Sequence, residues 1–156
     1  MEENIELCLV SDKEIHNDIL QALLKYINPE YYIDSIQAMD DWTYSNLVDI
    51  DDINLVDDYI ALNRIVTITC SDYFMNRVGV SVEKKKDKYH YDGWFKLSDE
   101  CSEEKYARIL EELEVVVREM NPDICAIGRE MYVDLDLPVN EIKSEASGVD
   151  IWISKT

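Results

Sequence analysis

Arg64-Ile-Val-Thr-Ile-Thr-Cys70, then Asn76-Arg-Val-Gly-Val-Ser-Val-Glu-Lys84, then Tyr89-His-Tyr-Asp-Gly-Trp-Phe-Lys-Leu97, is the stretch that decides the fold. The first segment is rich in β-branched residues, which suit a pleated, packed surface. The second and third flank the polar run Lys85-Lys86-Asp87-Lys88, the pattern of a hairpin. Together they predict an antiparallel meander at the centre of a sheet.

Upstream, Ile5–Val10 alternates and predicts a strand, and Ser11-Asp12-Lys13-Glu14 has the form of a capping box. The next segment places Ile15, Ile19, Ala22, Leu23 and Tyr26 on one helical face. That helix should stop near Asn28-Pro29, because Asn accepts a left-handed conformation and Pro cannot continue a helix. Tyr31–Met39 suits a strand, Asp40-Asp41-Trp42 a turn or helix start, and Asp51 or Asp52 to Leu62 a short helix. Downstream, Ser98 or Ser102 can cap a long helix ending at Asn121-Pro122. Its apolar face is Tyr106, Ile109, Leu110, Leu113, Val116, Val117 and Met120, with Glu104/Arg108 and Glu114/Arg118 as favourable pairs. Asp123–Gly128 predicts a strand, Met131–Leu135 another and Val149–Ser154 a last one, with Pro138 to Gly148 a loop. The expected fold is one α+β domain over residues 1–156. Its sheet would be mixed but mainly antiparallel, with the meander central, packed by two main helices and one short helix.

A chain of 156 residues with 47% hydrophobic residues can bury a core without staples. Only 4 glycines and 3 prolines argue against linkers or low complexity. The charge is the outstanding feature: 34 acids against 15 Lys plus Arg, a net charge of −19. That field disfavours direct nucleic-acid binding and anionic membranes, and favours fast capture of a basic surface. Solubility alone is the plainer account of it. The acidic start, Met1-Glu2-Glu3-Asn4, does not resemble a signal peptide, and apolar runs are far too short for a membrane span. Cys8, Cys70, Cys101 and Cys125 lack CxxC spacing. They are expected to be reduced thiols in a cytoplasmic protein.

Chemical signatures are sparse. GxxxxGK[ST] and GxGxxG are both absent. His16 falls on the expected solvent side of the first helix and His90 in a strand, so each is expected to be an ordinary histidine rather than a metal ligand or general base. Cys101, near a helix start, is the thiol to test, although Asp99, Glu100, Glu103 and Glu104 disfavour its thiolate. Asp49, Asp51 and Asp52 imitate the start of a calcium loop, but Ile53 and Asn54 occupy positions that need a ligand and a glycine. Asp134 and Asp136 offer no more than a weak cation site. The expectation is therefore no catalytic residue, no metal and no cofactor: a binding protein rather than an enzyme.

Between Lys25 and Arg64 there is no Lys or Arg, but nine acids, with Tyr31, Tyr32, Trp42, Tyr44 and Tyr59 interleaved among them. Asp40, Asp41, Trp42, Tyr44, Asp49, Asp51, Asp52, Asp57 and Asp58 form the candidate partner-binding set, since aromatic anchors among charges resemble interface hot spots. The plainer alternative is that the aromatics fill the core while the acids face water. The reading that joins acidity, size and missing catalytic groups is an immunity-type inhibitor, similar in general character to small acidic bacterial immunity proteins. It would neutralise a basic toxin enzyme, such as a nuclease, by occluding its active site. Alternatives are a nucleic-acid mimic and a small metal- or ligand-binding enzyme domain. The basic tip, Lys84 to Lys88, is expected to guard a turn against aggregation.

Overall fold

A computed structural model describes residues 3–97 and 101–155. One sheet holds eight strands: β1 (Glu3–Ser11), β2 (Tyr31–Met39), β3 (Val48–Asp49), β4 (Ile65–Asp72), β5 (Arg77–Lys85), β6 (Lys88–Leu97), β7 (Ile124–Tyr132) and β8 (Ser147–Ser154). Their order is β3-β2-β4-β5-β6-β1-β7-β8. All seven pairings are antiparallel, so among the described residues the expected mixed sheet has no parallel pair. The meander β4-β5-β6 lies centrally, as its sequence predicts. At the β5–β6 turn Lys86 and Asp87 have φ of 50° and 65°. A two-residue hairpin loop demands that left-handed geometry.

Four helices join the strands: α1 (His16–Leu24), α2 (Val56–Ala61), α3 (Glu103–Met120) and α4 (Val139–Glu145). The short helix expected from Asp51 or Asp52 to Leu62 divides into a 3-10 turn, Ile53–Leu55, and α2; Asp52 caps the turn by accepting from the Asn54 N–H. Ile5, Leu7 and Leu9 of β1 join Val66, Ile68, Val78, Val80, Val82, Tyr91 and Phe95 in one core. Ile19 and Leu23 of α1 and Ile109, Leu113 and Val117 of α3 close it. Period-two alternation sends these strand residues to one face, and burying each large side chain stabilises by about 1.5–3 kcal/mol.

Several boundaries differ from expectation. Ser11 belongs to β1, and its Oγ accepts from the Lys13 N–H at 3.1 Å, forming a turn and not a helix cap. Ile15 is the N-cap of α1 and supplies no side-chain bond. The Tyr91 hydroxyl anchors the helix start instead, accepting from the Ile15 N–H at 2.7 Å. Asn28 is not left-handed, since α1 has already ended at Leu24; its side chain accepts from the Glu30 N–H and its N–H donates to Asp72. Asn121 does take the left-handed form before Pro122, and Ser102 caps α3 through the Lys105 N–H. Ser98 lies outside the described residues.

Met131–Leu135 is no separate strand. β7 runs on to Tyr132 through irregular pairing with β8, where a Cβ on Gly128 would meet the Gly148 carbonyl at 2.2 Å. Such close backbone approach bends the strand without ending it. The expected loop from Pro138 to Gly148 contains α4, with Pro138 at its start and Ile142 its buried residue. A helix that short leaves no readable periodicity.

The sheet face away from the core is partly covered by this connection. Val10, His90, Ile124, Leu135, Leu137 and Ile142 line a common cavity of about 430 Å³. Among the described residues no helix is long and apolar enough to cross a membrane.

Candidate functional site

Two carboxylates and a histidine meet where α1 begins. Glu14 and His16 flank buried Ile15, and Asp57 projects from the first turn of α2. His16 is 5% exposed, which corrects the expectation that it faces solvent. The amphipathic pattern misplaces it because the helix starts at His16 itself, tucked beneath a neighbouring helix. The ring Nδ1 lies 3.7 Å from Glu14 Oε1, and Nε2 lies 3.5 Å from Asp57 Oδ1. Nδ1 is buried and has no hydrogen-bond partner. An orphaned buried polar atom costs about 1–3 kcal/mol.

One donor atom from each of Glu14, His16 and Asp57 lies within 4.8 Å of the others. Tetrahedral zinc with bonds of about 2.1 Å spaces its ligands by roughly 3.4 Å. Glu14 and Asp57 face different nitrogens of the ring, so an ion held on one nitrogen requires the carboxylate at the other to swing across toward it. Asp57 is 67% exposed at its side chain, so a fourth position faces water.

The electrostatics suit a cation. Burial, with the hydrogen-bonding and charge of Asp57 adding to it, pushes the Glu14 carboxyl up to about 7; Lys84 opposes the rise. Burial pushes His16 below its ordinary value, against the pull of Asp57 and Asp18. A depressed histidine stays neutral at physiological pH, the form that binds metal. Without a cation, one carboxyl of the pair retains a proton because like charges in partial burial disfavour double ionisation.

The acids predicted to bind a partner have local tasks. Asp40 faces Arg64 at 3.3 Å and accepts from the Asn46 amide. Asp41 accepts from the Thr43 N–H and hydroxyl, holding its own turn. Asp49 accepts from Gln37, Asp52 caps the 3-10 turn, and Asp58 stands in the first turn of α2. Asp51 is exposed. Trp42 and Tyr44 are 51% and 65% exposed in the β2–β3 connection, and the Trp42 indole N–H donates to Glu83.

Cys101 is buried beside the α3 cap, so it is not the accessible thiol its position suggested. Burial also covers Cys8, Cys70 and Cys125. Lys85 and Lys88 of the basic tip pair with Asp136 and Asp123.

Glu14 and His16 do not stand out in the sequence as candidate ligands because Glu-x-His is a common spacing and the third candidate donor comes from a separate helix. A buried histidine at a helix start was the readable signal, hidden by the misplaced boundary. Comparison of the chain with protein-family models, curated proteins and solved structures finds no match.

Proposed function

We propose that this chain is a small metal-binding domain holding one divalent cation of the zinc type between Glu14, His16 and Asp57. The carrying observation is the buried His16 ring, whose Nδ1 has no hydrogen-bond partner among the described residues, with Glu14 facing Nδ1 and Asp57 facing Nε2. Imidazole with carboxylates suits zinc and its first-row neighbours, whereas calcium and magnesium prefer all-oxygen sets. Two carboxylates and a neutral imidazole bring two negative charges, which a divalent ion neutralises. The cation ties the start of α1 to α2, and its open position accepts water or a donor from a partner, as in zinc sites with three protein ligands. Four buried thiols suit the reducing cytoplasm.

The test is direct titration of chelator-treated protein with Zn²⁺, Mn²⁺ and Mg²⁺, following heat. One zinc should bind in preference to magnesium, and Asp57→Asn should weaken it at least about tenfold. Equal zinc affinity in Asp57→Asn would show that the scattered surface acids, and not this site, hold the ion.

A second reading is favoured by the exposure of Trp42 and Tyr44 beside Asp40 and Asp41. In it, this loop docks on a basic protein, such as a toxin nuclease, as an inhibitor does. The nucleic-acid mimic differs in needing the charges without the aromatics.

A further inference from the structure

The open face of the sheet carries a second constellation, separate from Glu14, His16 and Asp57. Register places Trp94 of β6 between Gly79 of β5 and Glu6 of β1. Asp92 falls between Ser81 and Cys8, and Lys96 between Arg77 and Asn4. The Trp94 indole lies over Gly79, and beside it a hollow opens that Glu6, Cys8, Asp92 and Trp94 line. Its volume is about 470 Å³, and Met131 at the end of β7 and Val133 just after it also line it. Cavities of ~300–1,000 Å³ with few convergent polar groups are typical of small-ligand sites.

Trp94 is fixed against the β5 backbone, because a Cβ on Gly79 would come within 2.3 Å of its indole ring. Glu6 is partly engaged, accepting from the Met131 N–H at 3.1 Å. Asp92 lines the hollow and is exposed to water. No hydrogen bond or ion pair to Asp92 is formed among the described residues. Burial first, then the charges of Glu6 and Glu83, raise its carboxyl above the ordinary range, with Lys85 opposing. The adjacent Cys8 thiol is pushed up to about 12 by burial, with Asp92 and Glu6 adding. The floor thus carries the Asp92 and Glu6 carboxyl groups, with Lys85 acting on Asp92, and Arg77 stands at the rim, where it faces Asp34 at 3.8 Å.

We infer that this hollow binds a guanidinium cation, seated on the Asp92 carboxylate against the Trp94 indole, with a ligand carboxylate at Arg77. Arginine has this chemistry. A planar guanidinium matches a carboxylate with two parallel N–H bonds and stacks on an aromatic ring, whereas an ammonium is a hydrated point charge. The net charge of −19 attracts such a ligand, and focusing into a walled hollow strengthens that attraction. A nucleotide, which also carries a ring and an anion, would enter against the same field.

The experiment titrates ¹⁵N-labelled protein, in chelator, with L-arginine, L-argininamide and L-lysine, following the Trp94 indole and backbone resonances. Chelator keeps the outcome independent of metal at Glu14, His16 and Asp57. L-Arginine should bind at or below roughly millimolar concentration, and Asp92→Asn should weaken it at least about tenfold. Arg77→Ala should weaken L-arginine and leave L-argininamide unchanged, which assigns the rim to the ligand carboxylate. L-Argininamide binding more tightly than L-arginine would keep the guanidinium site and identify its source as an arginine within a polypeptide. No arginine binding at roughly millimolar concentration, equal binding by L-lysine, or full binding by folded Asp92→Asn would overturn the inference.

Discussion

Glu14→Gln separates metal binding from stability at the proposed metal centre, because its two expected effects have opposite signs. In the metal-free protein the Glu14 carboxyl rests at about 7, above its ordinary 4.5. The folded state therefore holds this proton more tightly than the unfolded state. Stability from this group is fully present below about pH 4.5 and is lost as pH rises through about 7. The full shift corresponds to a ceiling of roughly 3 kcal/mol. The side chain is 33% exposed, so solvent screening reduces the penalty to about 1 kcal/mol. Glutamine carries no charge and escapes it. Metal-free Glu14→Gln should melt about 2–4 °C higher than the parent at pH 8 and at the same temperature near pH 4.5. Zinc should reverse the ranking. A ligand at one hundred times its dissociation constant stabilises by about 2.7 kcal/mol, worth roughly 5–10 °C in a chain of this size. The parent should gain that increment at pH 8, and Glu14→Gln only a small part of it. Thermal unfolding followed by circular dichroism, with and without zinc, reads both arms. A metal-free Glu14→Gln that melts lower at pH 8, or one that keeps the whole zinc increment, would refute the reasoning.

Two further outcomes follow from the packing. Gly79→Ala places a methyl group where the Trp94 indole lies, 2.3 Å from its ring carbons. The overpacking should cost about 1–3 kcal/mol by denaturant titration and change the tryptophan emission, and an unchanged midpoint would contradict the placement of Trp94. Replacing Trp42 and Tyr44 together by Ala should leave stability within about 0.5 kcal/mol for each exposed site. If the β2–β3 connection docks on a basic protein, the same double substitution abolishes salt-sensitive capture of that protein from lysate; retained capture would exclude the loop as its anchor.

Much of the architecture was readable from hydrophobic period and turn chemistry. The meander announced itself because β4, β5 and β6 pair with sequence neighbours. β-Branched alternation and the Lys86-Asp87 turn specify that arrangement locally. α3 was legible for the same reason, with Ser102 at one end and left-handed Asn121 at the other. Failures gathered where distant contacts overrule local preference. Ser11 stays in β1 because pairing with Tyr89 of β6 outweighs a cap. The helix start then depends on Tyr91, a residue far along the chain. α4 escaped notice because one buried isoleucine shows no period. The candidate sites were hidden more deeply. Glu14, His16 and Asp57 meet only through the packing of α1 beside α2, and the open-face hollow exists only through strand register.

Acidity in this chain has two distinct structural forms. Many acids are answered locally: Asp72 accepts from Asn28, Phe74 and Asn76, Glu112 faces Lys25, and Asp123 faces Lys88 and Lys155. These carboxylates organise turns and fasten elements, and most of the interval between Lys25 and Arg64 belongs with them. At two places carboxylates instead stand together, Glu14 with Asp57 and Asp92 with Glu6, with Lys84 and Lys85 acting on them without forming an ion pair to them among the described residues. The same physical signature marks one member of each pair, a carboxyl raised by burial and by its acidic neighbour. Each arrangement costs stability that a lysine or amide in place of one acid would recover, and each stands beside a group suited to receiving a cation: the unpartnered His16 nitrogen in one, the Trp94 indole in the other. Solubility explains neither, because charges that serve solubility are stable in open water. Binding a cation relieves both, so the affinity gained at each site is drawn from repulsion already present in the empty protein.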